Sequence, residues 1–148
     1  MTVLQEVYAD AALVVAEYLS KETTKVGASL LFSKIEDRVY IDSLPKGLIP
    51  AGCVVAKQVG GKARVGLPLQ NARMELDCYG ADDSPEAARE IARLVTAQLH
   101  RARADETTSG YVLTAVADGG GTTIWTPPNV RPFVPVYASV LVQAKESE

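Results

Sequence analysis

Histidine and tryptophan each occur once in the 148 residues, and cysteine and methionine twice each. A single His100 leaves no histidine pair for a metal, and no HExxH, GxSxG or glycine loop ending in Gly-Lys-Ser/Thr is present. Cys53 and Cys78 have neither a CxxC spacing nor a nearby histidine, and both stand in strand-like runs. Buried reduced thiols are therefore expected in place of a metal or redox centre. No apolar run approaches the roughly 20 residues that span a bilayer. The first six residues lack the positive region that opens a signal peptide, so a cytoplasmic origin is expected. Neither sign of charge dominates: 15 Lys and Arg face 18 Asp and Glu, for a net charge of −3. No global basic field would draw the chain to nucleic acid or an anionic membrane, and neither is an expected partner.

What is present is an ordinary globular composition, 47% hydrophobic and 22% charged. A chain of this length forms one domain, residues 1–148, burying roughly 70% of its unfolded surface. Thr2 and Gln5 have capping-box spacing. Leu4, Val7, Ala11, Val14, Val15 and Tyr18 recur at helical intervals after them, predicting an amphipathic helix over residues 3–20. Leu30, Leu31 and Phe32 read as a short strand or a buried turn. Residues 38–41 and 53–59 read as strands, the first stopped by the turn signals of residues 44–47 and the second by Gly60 and Gly61.

The clearest local signal is the stretch MELDCYGADDSPEAAREIARLV, residues 74–95. Ala72, Met74, Leu76 and Cys78 alternate with Arg73, Glu75, Asp77 and Tyr79, predicting a strand with one buried and one wet face. Gly80 breaks it. Ser84 suits a helix N-cap, Pro85 the first turn and Glu86 the dipole. Ala88, Ile91, Ala92, Val95 and Leu99 then form a buried stripe, with Arg89, Arg93 and Arg101 on a solvated outer side. Residues 111–116 and 134–143 read as two more strands, and residues 144–148 as a frayed end. The expected class is α+β: a mostly antiparallel four- to five-stranded sheet with two helices packed on one face.

Candidate chemistry is sparse. His100 has no visible partner. Asp82 and Asp83 suit a cation or, more simply, a helix start. Gly119, Gly120 and Gly121 suit a phosphate or a loop tip, but no helix follows to supply the amides and dipole of a phosphate site. No cofactor, metal or catalytic group is expected, and the chain does not read as an enzyme. The segment between the last two strands is long and rich in glycine and proline, which is uncommon unless functional. Its Trp125 either folds back onto the core or serves as an aromatic anchor, and aromatic anchors are favoured in protein interfaces. The assembly surface is placed here, at Gly119, Gly120, Gly121, Trp125, Pro127 and Arg131.

The stretch RMELDCYGADDSPEAAREIARLVTAQL (residues 73–99), with Glu86, Ala87 and Ala92 in an EAxxxA-like setting, resembles the tail-completion or tail-terminator proteins of long-tailed bacteriophages. RVYIDSLPKG (residues 38–47) and RPFVPVYASVLVQA (residues 131–144) stand where that family has comparable segments. The resemblance spans residues 38–143 and leaves 27–37 without a counterpart. It implies a structural virion protein that forms a ring, commonly a hexamer, on the end of the tail tube. Such a ring stops tube polymerisation and joins tail to head. Its implied partners are other copies of itself, the major tail tube protein and the head–tail connector proteins. Its implied place is the virion neck, after assembly in the host cytoplasm. Another neck or head-completion connector, or a small-ligand-binding α+β domain, are the alternatives.

Overall fold

The computed structural model describes residues 9–20, 29–45, 51–63, 69–81, 84–118, 123–124 and 131–145. At its centre is β3 (Leu69–Tyr79), whose period-two pattern puts Ala72, Met74, Leu76 and Cys78 at full burial on one face. Antiparallel partners flank it on both sides, β2 (Cys53–Ala63) and β6 (Phe133–Ala144). The register sets Leu76 against Ala56 and Val136, so one face of all three strands is continuously apolar. Beyond β6 lie β5 (Gly110–Ala117) and β4 (Asp105–Glu106); beyond β2 lies β1 (Val39–Ile41). The order is β1-β2-β3-β6-β5-β4. β1 runs parallel to β2, and every other pair is antiparallel.

This corrects the expected four- to five-stranded, mostly antiparallel sheet with two helices. Among the described residues the sheet has six strands, is mixed, curls as a half-barrel and carries three helices. The differences have local causes. The run at Leu30 to Phe32 is too short for its period to be told from a strand's. It belongs to α2 (Ser29–Ile35), where Leu31 and Ile35, one helical turn apart, are both buried. β4 has two residues and so no readable period. β2 runs on through Gly60 and Gly61, because a bulge between Gln58 and Gly60 absorbs the irregularity. Gly61 there has φ +128°, and a Cβ would strike the Asn71 carbonyl oxygen, so only glycine fits.

The first helix, α1 (Ala11–Leu19), begins at Ala11, not near residue 3. Asp10 is extended, and its carboxylate accepts from the Leu13 amide at 3.2 Å. The Thr2–Gln5 capping box lies outside the described residues. α3 (Pro85–His100) follows the sequence closely: Ser84 caps it by accepting from the Ala87 amide at 3.2 Å, and Ala88, Ile91, Ala92, Val95 and Leu99 are buried. The sharp passage from β3 into α3 depends on Gly80, where a Cβ would come within 2.6 Å of the Ala88 amide nitrogen. At the other end of the chain, Ala144 pairs with Gly110 and Lys145 reaches Glu106 at 3.0 Å, so order extends past residue 143.

All three helices contribute to one core against the apolar sheet face. α1 contacts β1, β2 and β3 near one end of the strand order and β5 near the other, which requires the sheet to curl around it. Polar ties fix it there. The Tyr18 hydroxyl donates to the Gln98 carbonyl at 2.6 Å, and Glu17 accepts from the Ser109 amide and hydroxyl at 2.8 and 2.9 Å.

Candidate functional site

The alternation that turns Met74 and Leu76 toward the helices turns Arg73, Glu75, Asp77 and Tyr79 to the opposite face. On β2 the residues of that face are Cys53, Val55 and Lys57; on β6 they are Phe133, Pro135 and Tyr137. The face was expected to be wet. Arg73 and Tyr137 are exposed, but Cys53 and Val55 are buried and Asp77 is only 1% exposed.

Asp77 is the unusual residue. Lys57 Nζ lies 2.7 Å from its Oδ2 and 3.7 Å from Glu75 Oε2, so one ammonium serves two carboxylates. The contact with Asp77 is close but poorly directed, and neither carboxylate oxygen has another donor among the described residues. A buried ion without its full set of hydrogen bonds pays a desolvation cost. Burial pushes the Asp77 pKa up to about 6, Lys57 opposes the rise, and the Glu75 carboxyl adds to it. The same ion pair holds Lys57 above its ordinary value, so the lysine stays charged. Tyr137, opposite Glu75, is raised chiefly by that carboxylate's charge, and Tyr79 and the Cys53 thiol chiefly by burial.

Arg131 closes one end of this face. Its guanidinium donates to the Ala51 carbonyl at 2.6 Å and to Gly80 at 2.9 Å, and stands 5.3 Å from the centre of the Tyr79 ring. Tyr79 in turn packs on Phe133 at 5.2 Å. Of the residues assigned to the assembly surface, Arg131 is thus engaged with the backbone carbonyls of Ala51 and Gly80. Gly119, Gly120, Gly121, Trp125 and Pro127 lie outside the described residues, as do Asp82 and Asp83. Within that long connection Ile124 pairs with Phe133, bringing its side chain to the helix-free face, 42% exposed.

His100 is a structural piece. The Ala117 amide donates to its Nε2 at 2.9 Å, and the Ala117 carbonyl oxygen is 3.1 Å from the same atom. With the Thr96 hydroxyl donating to the Asp118 carbonyl at 2.9 Å, α3 covers the last outward-facing groups of β5. Both cysteines are buried and free, as expected. Among the described residues no three His, Cys, Asp or Glu side chains stand together to hold a metal, and no helix is long and apolar enough to cross a membrane.

The Lys57–Asp77 pair was missed by the reading of β3 as half wet, although a signal existed. Cys53, Val54, Val55 and Ala56 form an unbroken apolar run, the mark of a strand buried on both faces. Any residue placed beside such a run on the outer row, as Asp77 is beside Val55, is buried with it. No protein-family model matches the chain, and no curated protein matches it either.

Proposed function

We propose that this chain is a structural assembly protein, similar in role to the phage tail terminators it resembles. Copies join in a ring on the end of a tail tube, stop its growth and present a docking surface to the head. The role is one of surfaces, with no catalytic step.

The observation that supports this is a pair of distinct uncovered surfaces. The helix-free face exposes Val116 of β5 at 71%, Tyr137 of β6 at 39% and, on the connection between them, Ile124 at 42%. Separately, β2 continues past the end of β1, and residues 58–62 are exposed with no outer strand partner among the described residues. Two different patches in contact between copies make a heterologous interface, which closes into a ring when its rotation permits. The chain order of β3, α3, β5, a long connection and β6 is also the order that the resemblance implies.

Sedimentation velocity and negative-stain microscopy of the purified protein, alone and with tail tubes, test the reading. Rings, or capped tubes of fixed length, are expected. Deletion of residues 120–126 is expected to leave a folded monomer that forms neither. A protein that stays monomeric at high concentration, leaves tubes uncapped and retains a small molecule through purification would favour the ligand-binding alternative.

A further inference from the structure

We propose that Glu75, Asp77 and Lys57 form a one-proton switch on the helix-free face of the sheet, changing the charge of that face by one unit. The geometry is a count of charges around one buried carboxyl group. Two carboxyl groups stand at alternate positions of one strand, a single ammonium faces both, and Asp77 is 1% exposed with unsatisfied oxygens. A negative charge on Asp77 is held away from water while Glu75 competes for the one ammonium, so Asp77 holds a proton. In the protonated state Asp77 carries it, and the Lys57 ammonium stands 3.7 Å from the Glu75 carboxyl. On release the proton goes to solvent and the Asp77 carboxyl ionises, with Lys57 Nζ 2.7 Å from it and 3.7 Å from Glu75.

The other groups facing the site do not titrate with it. Cys53 from β2, Tyr79 from β3 and Tyr137 from β6 are all shifted upward and stay neutral when Asp77 loses its proton. Arg73 and Arg131 remain cations throughout. The transition therefore belongs to Asp77, whose upward shift to about 6 sets it close to physiological pH.

Carboxyl carbon-13 NMR of the intact wild-type protein, with the Asp77 signal identified by its absence from Asp77→Asn, reads the switch directly. A midpoint near 6 is expected. Glu75→Gln removes the competing charge and is expected to lower the midpoint by half a pH unit or more. Lys57→Met removes the stabilising cation and is expected to raise it by a similar amount. The wild-type and Glu75→Gln titrations decide the matter even if the lysine variant fails to fold. A wild-type midpoint in the ordinary carboxylate range, or one that ignores Glu75→Gln, overturns the proposal.

Discussion

Moving Asp77 from water to a site that is 1% exposed penalises its ionised form, and Lys57 recovers only part of the loss. The folded protein therefore holds the proton up to about pH 6, whereas the unfolded chain releases it near 3.8. Between those values the native state binds more protons than the unfolded state, so this residue's contribution to stability is greatest below the unfolded pKa. It is lost as pH rises through the folded one. The shift corresponds to about 1–3 kcal/mol. Urea unfolding at pH 5 and pH 7.5 should show Asp77→Asn gaining on wild type by that order at the higher pH. An equal difference at both pH values would contradict the account. His100 gives a second test at this scale. His100→Ala removes the acceptor of the Ala117 amide at the edge of β5 and should cost about 0.5–1.5 kcal/mol in the same assay.

Leu76 of β3 and Ile91 of α3 lie in the core that joins strand to helix, at 0% and 3% exposure. Truncation of either to alanine is expected to cost about 2–5 kcal/mol, lowering the melting temperature by roughly 5–15 °C. Calorimetry checks it, and wild-type melting in both variants would refute the packing. These two elements were legible because their signals are long and redundant. Eight residues of alternating apolar and polar side chains, 72–79, and a capped, sixteen-residue helix in α3 leave little ambiguity. The missed features carry short or conflicting signals. β4 and α2 are too brief to show a period, and Gly60 and Gly61, strong breakers in isolation, serve a bulge whose need arises only from the neighbouring strand. The parallel direction of β1 is set by its partner, not by its own residues. The candidate site was hidden for a related reason. Charge marked Glu75 and Asp77 as solvated, but burial on that row is decided by Val55 and Cys53 on the adjacent strand.

At the scale of the whole molecule, the ring reading makes Val116 the most informative position. It is 71% exposed and carries no core packing, so Val116→Asp should change monomer stability by no more than about 0.5 kcal/mol. If β5 and β6 supply the contact between copies, the same substitution should abolish rings in sedimentation and microscopy while the circular dichroism spectrum stays that of wild type. Rings formed normally by Val116→Asp would move the interface elsewhere on the surface.

The curl of the sheet about α1 also bears on synthesis. α1 comes off the ribosome before the strands it packs on, and the bond from Tyr18 to Gln98 closes a span of 80 residues and that from Glu17 to Ser109 one of 92. At ~5–20 residues per second, the helix waits several seconds or more for the chain that will enclose it. During that wait Val14, Val15 and Leu19, all buried in the finished fold, lack β5 and β6, which complete the sheet around them. Ribosome-bound chains halted before residue 98 should therefore recruit holding chaperones to α1, and chains carried past the end of β6 should let them go.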